Sequence, residues 1–288
     1  MKLAFMTLGC PNWDLATICR RGREYGFDGV DFRGYLDTLD ITLRSEFTTG
    51  VADTRRTLAD AGLDVSAISS SITVCVPEKI ESNLEEARRT IGVAHALGAS
   101  NVRIFGGGDP NTPRLALTKI GRDTIERILG LDGAASLHWL FETHDLWVKA
   151  ADCRLLLDEI PNPAFGALWD MGHTYRVGGE KPADTFKALS DSAGKSRVGY
   201  THVKDAVYDP QHPLAMEDGW YYVLPGNGQL PLAESIAILH ANGYDDGKQP
   251  SSGWLQFEHE KRWHPALLEP EVAFPAFAAW ARKLVASL

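Results

Sequence analysis

The chain has 288 residues, of which 44% are hydrophobic and 23% charged, a composition typical of a globular protein that buries a sizeable core. Its 38 acidic and 29 basic side chains give a net charge of −9, which argues against a broad binding surface for nucleic acid or an anionic membrane. No apolar run approaches the roughly 20 residues that a membrane-spanning helix needs, so we expect neither nucleic acid nor membrane as a partner.

The cysteines and the N-terminal residues bear on the cellular compartment. Four cysteines are scattered along the chain without a CxxC pair, as expected for free thiols in a reducing compartment. The opening MKLAFMTLGC has a short apolar run and no small-residue cleavage pattern, so we assign it to a first strand rather than to a signal peptide. Together these features predict a cytoplasmic protein.

Short β-forming apolar runs alternate with helical segments of 3.6-residue period from one end of the chain to the other. Strands are predicted at 3–8, 29–33, 63–69, 101–105, 137–142, 165–170, 198–203 and 254–258. Helices are predicted at 14–25, 51–61, 80–97, 114–130, 146–159, 182–193, 232–242 and 271–286. We expect Asp14 and Ser82 near helix starts, and a left-handed glycine directly after four helix ends, at Gly26, Gly62, Gly98 and Gly243.

The strict alternation of eight strands with eight helices implies parallel strands joined by right-handed crossovers. An open doubly wound sheet fits the same order, but eight complete units in this length favour closure. We therefore predict an α/β fold, a (β/α)8 TIM barrel that forms a single domain over residues 1–288. Residues 205–231, rich in Asp, Pro, Gly and aromatics, interrupt the regular spacing and are predicted to form a long loop that serves as a lid.

Side chains at the C-terminal ends of the strands face the active site in a barrel of this kind. Four consecutive strands, the fifth to the eighth, end in Glu142, Asp170, His202 and Glu258. Acidic residues are also common at strand ends as helix caps, but four metal-competent side chains at equivalent positions favour a metal centre. Three carboxylates and one imidazole suit one divalent ion, such as Mn²⁺, Mg²⁺, Zn²⁺ or Co²⁺.

Several short motifs occur in a characteristic order. They are GCPNW at the first strand, GFDGVDFRG, FETHD at the fifth strand end, DMGH at 170–173, HVKD at 202–205 and the terminal FEHEKRWHP. In this order and spacing they resemble the sugar isomerase/epimerase superfamily with the xylose isomerase-like barrel, which also includes inosose dehydratases and AP endonucleases. The resemblance covers essentially the whole chain, and it is more specific for the fold and the metal site than for the reaction.

The resemblance implies roles for individual residues. It makes Glu142, Asp170, His202 and Glu258 the metal ligands, and His173 a hydrogen-bond partner of a substrate oxygen. In the epimerase branch the two metal-bound glutamates, here Glu142 and Glu258, also carry the proton. The implied function is a metal-dependent sugar isomerase or epimerase that acts through an enediolate on a keto-sugar or related polyol. A lyase acting on a keto-sugar or keto-cyclitol, or a non-catalytic subunit that binds metal and sugar, stays open.

The AP endonuclease branch fits poorly. The resemblance would then require three metals, with extra histidines at the ends of the third and fourth strands and an Asp-x-His after the seventh. Here these strand ends read Ile68-Ser-Ser-Ser and Ile104-Phe-Gly-Gly, and Asp209 and His212 have the wrong spacing. We therefore exclude DNA repair as the leading interpretation.

Other side chains near the strand ends could either bind substrate or have a structural role. His144 and His259 are assigned either to the substrate or to plain loop roles. Lys204 follows His202 by two residues and is expected to point into the barrel mouth, either towards substrate oxygen or into a salt bridge with Asp205.

Arginines and aromatic side chains are weighed in the same way. Arg33 and Arg103 suit substrate hydroxyls or an ion pair inside the barrel. Trp13 and the aromatics of 220–222 suit either sugar faces or packing, and Trp263 and His264 could complete the rim.

The glycine-rich segment after the fourth strand indicates whether the substrate carries a phosphate group. The glycine run 106–108 lacks the lysine and Ser/Thr of a phosphate loop, so we favour an unphosphorylated sugar or polyol as the small-molecule partner. The sequence leaves a homo-oligomer open. The loop after the fifth strand also lacks the extra substrate-binding carboxylate of some epimerases, a departure that counts against epimerisation.

Overall fold

Eight parallel strands close into a barrel in the computed structural model, which describes residues 1–248 and 252–288. The strands, including a separate hairpin made of β8 and β9, are β1 (Lys2–Met6), β2 (Gly29–Phe32), β3 (Asp64–Thr73), β4 (Asn101–Phe105), β5 (His138–Glu142), β6 (Phe165–Asp170), β7 (Val198–Val203), β8 (Asp205–Tyr208), β9 (Trp220–Val223) and β10 (Trp254–Phe257). β1 pairs with β2 on one side and with β10 on the other, and β10 pairs with β7, so the ring is complete. The predicted (β/α)8 TIM barrel is confirmed.

Nine α-helices lie within the described ranges. They are α1 (Leu15–Glu24), α2 (Val51–Asp60), α3 (Ile80–Leu97), α4 (Arg114–Leu129), α5 (Ala150–Glu159), α6 (Met171–Arg176), α7 (Pro182–Ala188), α8 (Leu232–Ala241) and α9 (Pro270–Val285). Eight of them correspond to predicted helices, although α5 begins later and α7 ends earlier than the periodicity suggested. Of the helices that the structure describes, none combines the length and the apolar character needed to cross a membrane.

Helix α6 was not predicted. It begins directly after β6, where the Asp170 carboxylate accepts a hydrogen bond from the backbone N–H of His173 at 2.7 Å and caps the helix. Asp14 caps α1 in the same way, and Ser82 lies in the first turn of α3, so both are near helix starts as expected.

The strand and helix boundaries differ from the sequence pattern for local reasons. The first strand ends at Met6, because residues 7–9 turn into a short 3₁₀ helix, and the third strand continues to Thr73. Four glycines that were expected to follow helix ends have the left-handed backbone predicted for them: Gly26, Gly62, Gly98 and Gly243.

The interior of the barrel is apolar below the strand ends. Leu140, Leu168 and Tyr200 form one buried cluster with Ala4, Ala67 and Trp254. Because side chains two residues apart on a strand share a face, the next inward positions on β5, β6 and β7 are Glu142, Asp170 and His202. These three polar side chains therefore lie above the apolar cluster, towards the C-terminal mouth.

The predicted lid is partly a hairpin rather than an irregular loop. β8 and β9 pair antiparallel, with Asp205 opposite Val223 and Tyr208 opposite Trp220. We call residues 205–223 the arm. The arm leaves the barrel immediately after Lys204 and stands at the mouth.

Candidate metal centre

Glu142, Asp170, His202 and Glu258 converge at the mouth. Each offers one oxygen or nitrogen atom, and these atoms all lie within 4.8 Å of one another. His202 Nδ1 lies 3.0 Å from Glu142 Oε1, 3.2 Å from Glu258 Oε1 and 3.9 Å from Asp170 Oδ2. All four side chains are buried. This geometry is what a single divalent cation requires of its ligands.

The electrostatics of the cluster also fit a cation. Burial, with the charges of Glu258 and Glu142, raises the pKa of Asp170 to about 7 despite the nearby Lys204 ammonium. Within the described residues, Glu142 Oε2 and Asp170 Oδ2 receive no well-formed hydrogen bond, although Lys204 Nζ lies 2.9 Å from the latter. Buried carboxylate oxygens without hydrogen bonds are costly unless a cation compensates them. The donor set therefore suits a hard or borderline divalent ion.

Asp31, which the sequence analysis did not select, lies behind the imidazole of His202. Its Oδ2 is 3.9 Å from His202 Nε2 and accepts a hydrogen bond from Ser69 Oγ at 3.0 Å. Since Nδ1 faces the three carboxylates, Asp31 favours a proton on Nε2 and leaves Nδ1 free to bind a cation. Its position on β2, with an inward side chain two residues before Arg33, was the signal available in the sequence.

Lys204 lies in the same mouth as a buried ammonium. Its Nζ is 2.9 Å from Asp170 Oδ2, 2.5 Å from Glu258 Oε2 and 3.0 Å from Glu260 Oε1. The alternative salt bridge with Asp205 is not formed. Glu260, two residues after Glu258, is a further site residue, and the spacing that pointed to Lys204 after His202 would have found it.

His173 and His144 come together beside this ammonium. His173 Nε2 lies 3.0 Å from Lys204 Nζ, and the two imidazole rings meet edge to face with centroids 4.6 Å apart. Burial, with the nearby Lys204 and His144, lowers the pKa of His173 well below its ordinary value, so this imidazole is neutral. A neutral imidazole can exchange a hydrogen bond with a neutral substrate oxygen.

Arg33 and Arg103 lie on the opposite side of the mouth. Arg103 is buried, with Nε 3.4 Å from Glu142 Oε2 and its guanidinium stacked over Phe105 at 3.7 Å. Arg33 donates a hydrogen bond to Ser71 Oγ at 2.8 Å, and burial lowers its pKa to about 10. The ion-pair interpretation of Arg103 therefore has a direct contact, while the substrate-binding role of Arg33 stays a prediction.

Two of the predicted substrate residues, Trp13 and His259, have packing partners in the protein. The indole of Trp13 packs edge to face on Phe274 of α9, and its Nε1 donates to Glu271 at 3.3 Å. The imidazole of His259 stacks on Phe257, and its Nε2 lies 2.8 Å from the Leu268 carbonyl oxygen. Trp13 is thus held against α9, whereas His259 also lines the cavity between the arm and the loop after β10, and the substrate-binding roles of both residues stay predictions.

Comparison with protein families decides the identity of the fold. The family described as "Xylose isomerase-like TIM barrel" matches residues 19–284. The chain belongs to this family. None of the curated proteins matches the sequence.

Solved structures show the same xylose isomerase-like fold at low identity. The probable 3-DHS dehydratase AsbF from Bacillus anthracis has 18% identity and a TM-score of 0.74, over 98% of this chain and 99% of that one. The IOLI protein with a bound zinc atom has 17% identity and a TM-score of 0.77, over 100% and 99%. The 3-keto-D-glucoside 4-epimerase YcjR from E. coli has 16% identity and a TM-score of 0.71, over 98% and 99%. At this identity the likeness establishes the fold, and the neighbours include both an epimerase and a dehydratase.

In this xylose isomerase-like barrel the arm closes one side of the mouth. Tyr222 Oη donates to Glu260 Oε1 at 3.0 Å, and Arg176 of α6 pairs with Asp218 at the tip of the arm. At the root of the arm, the Asp205 carboxylate accepts hydrogen bonds from the backbone N–H groups of Ala206, Gly226, Gly228 and Leu230. We call this contact the clip. It fixes where the arm leaves the barrel.

Replacing Asp205 with alanine should destabilise the protein. Several buried N–H groups would lose their acceptor at once, and each such loss costs about 1–3 kcal/mol before water or relaxation offsets it. We expect the free energy of unfolding in urea to fall by at least about 2 kcal/mol, with faster proteolysis of the arm. Asp209→Ala is the matched control, because Asp209 accepts only local turn hydrogen bonds on the surface and should change stability by less than about 0.5 kcal/mol. Equal stability of the two variants would contradict the role of the clip.

Cavities lie at both ends of the barrel. One of about 360 Å³ lies between the arm and the loop after β10, with Tyr221, Leu214 and Leu267 among its walls and Lys204 and Glu258 among its polar residues. A larger one of about 630 Å³ lies at the opposite end, around the starts of β5, β6 and β7. The guanidinium of Arg197, which lines this cavity, donates its hydrogen bonds to backbone carbonyl oxygens. The cavity at the mouth therefore borders the four-residue cluster through Glu258, and its volume suits a small ligand.

Proposed function

We propose that the chain is a metal-dependent sugar isomerase or epimerase that acts through an enediolate on a keto-sugar or related polyol. The observation that carries the proposal is the convergence of four buried donor atoms within 4.8 Å of one another at the strand ends. A divalent cation bound there would polarise a ketone and make the neighbouring C–H more acidic. Mn²⁺, Mg²⁺, Zn²⁺ and Co²⁺ all suit the ligands.

Glu142 and Glu258 carry the proton in this proposal. Their carboxylates flank His202 Nδ1 at 3.0 and 3.2 Å, so two bases approach the centre from different strands. Burial tends to raise the pKa of Glu142, but His202 and Arg103 lower it below the ordinary value, so this carboxylate is ionised and ready to accept a proton. One glutamate removes the proton, and the other returns it.

His173 and Lys204 would hold the oxygens of the intermediate. The neutral imidazole and the ammonium lie 3.0 Å apart and both border the carboxylates. Fixed donors aimed at a developing oxyanion stabilise it more than water does, because they need no reorganisation. The substrate's enediolate oxygen is therefore expected to lie within hydrogen-bonding distance of the Lys204 ammonium, beside the His173 imidazole.

We expect His173→Asn to lower turnover by about 10²-fold while leaving the metal content near one equivalent per chain. Asparagine keeps a hydrogen-bonding group of smaller reach but removes the imidazole from the substrate. The measurement pairs steady-state turnover with elemental analysis of the dialysed protein. His144→Asn serves as the comparison, because it removes the neighbouring ring. Loss of metal in proportion to turnover in the His173 variant would make His173 a ligand instead.

A lyase is the second candidate, and one contact favours it. Lys204 Nζ lies 2.5 Å from Glu258 Oε2. Burial alone would raise the pKa of Glu258, but Lys204 and His202 lower it far below the ordinary value. A glutamate held in its ionised form suits a base better than an acid that returns a proton. The Lys204 ammonium could then donate a hydrogen bond to a departing hydroxyl, which would leave as water together with the proton taken from carbon.

Turnover in D₂O separates these functions. The Mn²⁺-loaded protein is incubated with a panel of keto-hexoses, keto-glycosides and keto-cyclitols, and the products are analysed by NMR and mass spectrometry. An isomerase or epimerase gives a product isomer that carries solvent deuterium at the reacting carbon, whereas a lyase gives a product lighter by water or an aglycone. Binding of these sugars without any product would instead support a non-catalytic metal- and sugar-binding subunit.

A further inference from the structure

A second group of potential metal ligands adjoins the first. His173, Glu258 and Glu260 each offer an atom within 4.8 Å of the others, and they share Glu258 with the four-ligand centre. Two-metal sites typically hold their ions about 3.5–4 Å apart, and a carboxylate common to both ligand sets is a natural bridge between them. The arrangement of side chains is thus that of a two-cation centre.

Lys204 lies in the middle of this second group. Its Nζ is 3.0 Å from His173 Nε2, 2.5 Å from Glu258 Oε2 and 3.0 Å from Glu260 Oε1, and its side chain is only 3% exposed. Every potential ligand of the second group is therefore already in contact with an ammonium. The ammonium is a fixed positive charge that donates three hydrogen bonds to oxygen or nitrogen acceptors.

We infer that the Lys204 ammonium takes the place of a second metal ion, so that this centre binds one divalent cation and the second site is formed only when the lysine is removed. The inference rests on the one-cation centre of the proposed function. Its physical basis is compensation of charge: the buried Glu258 and the partly buried Glu260 lie close together and need a positive partner. A lysine of the chain supplies it permanently, at every metal concentration.

The substitution of an ammonium for a metal ion has a chemical consequence. A metal ion binds ligand lone pairs and exchanges them, whereas an ammonium offers N–H donors at fixed positions. The substrate oxygen nearest this side of the mouth would be held by a hydrogen bond rather than by coordination. The centre would also lack the pair of cations that clamps both oxygens of an in-line phosphoryl transfer.

Metal stoichiometry tests the inference directly. The full-length protein is dialysed to equilibrium against Mn²⁺, bound metal is measured by elemental analysis, and the electron paramagnetic resonance spectrum is recorded. We expect one equivalent and an isolated Mn²⁺ signal for the native chain. We expect two equivalents and an exchange-coupled signal for Lys204→Met, because the two ions would share Glu258.

Two matched variants control this experiment. Lys204→Arg keeps a cation at the position and should bind one equivalent. Lys204→Met combined with Glu260→Gln removes a charge from the second group and should return to one equivalent. The coupled spectrum distinguishes an adjacent second site from Mn²⁺ bound elsewhere on the surface. If Lys204→Met does not fold, as judged by circular dichroism, Lys204→Gln is measured in its place.

The outcomes separate this inference from the proposed function. One equivalent in the native chain and one in the folded lysine variant would overturn the inference and leave the one-cation centre intact. Two coupled equivalents in the native chain would also overturn it. No tightly bound Mn²⁺ in the native chain would overturn the cation centre itself, and with it both the proposed function and the inference.

Discussion

Glutamine in place of Glu142 should reduce turnover by a factor of about 10²–10⁴, the range that a positioned acid or base contributes. The amide keeps the size of the side chain and one oxygen that can still face a cation, but it cannot accept a proton. The same loss is expected for Glu258→Gln. Turnover is measured at saturating Mn²⁺, so that weaker metal binding does not contribute.

The control for these exchanges is Glu86→Gln, which changes a partly buried carboxylate outside the centre. Glu86 Oε1 accepts a hydrogen bond from the Ser71 backbone N–H at 2.6 Å, which an amide oxygen can also accept. This variant should keep turnover within about threefold of the native chain. Full turnover in metal-loaded Glu142→Gln and Glu258→Gln proteins would refute the assignment of the two glutamates as the acid/base pair.

Removal of the cation should lower both activity and thermal stability. A ligand that binds only the folded state, present at about 100 times its dissociation constant, contributes about 2.7 kcal/mol. For a chain of this size that corresponds to a rise in Tm of roughly 4–5 °C on adding Mn²⁺, and chelation should reverse it. The measurement is a pair of thermal melts, with Mn²⁺ and with chelator.

His202→Ala should abolish the rise in Tm together with the activity, because it removes the one nitrogen ligand from the four-residue set. His95→Ala is the control, since His95 on α3 contacts Ser136 at 2.8 Å, away from the centre. We expect the control to keep the full rise. A rise of equal size in His202→Ala would show that Mn²⁺ stabilises the protein elsewhere, and the proposed centre would be wrong.

The four clustered residues could be found from the sequence because each closes, or directly follows, a short apolar strand. On β5, β6 and β7 the pattern of an inward apolar residue followed two positions later by an inward polar one is local, and it survives folding unchanged. Asp31 and Glu260 obey the same spacing relative to Arg33 and Glu258. A pattern that takes one residue per strand end does not include them.

Other features depended on contacts between distant parts of the chain. Trp13 faces α9 because Phe274 is there to receive it, and nothing near Trp13 in the sequence reveals that partner. The hairpin of the arm had a partial signal, since Asp218-Gly219 is a favoured turn pair and precedes the β-forming Trp220–Val223. Its partner strand follows β7 almost without interruption, which hid it.

Helix α6 shows why one residue can carry two roles that a linear pattern does not separate. Asp170 ends β6, caps α6 through Oδ1 and turns Oδ2 towards Lys204. The motif DMGH marks the end of the strand, and the same aspartate is also an N-cap residue of the helix that follows. Asp170 can fill both roles because one carboxylate oxygen caps the helix and the other faces Lys204.

The clip at Asp205 has a consequence for how substrate preference could be altered. It anchors the two ends of the insertion to each other, so the segment from 209 to 219 is a replaceable tip on a fixed base. Tips of other lengths and compositions could be transplanted there while Lys204 and the strand-end carboxylates keep their positions. Substrate recognition by the tip could then be changed without changing the reactive groups at the strand ends.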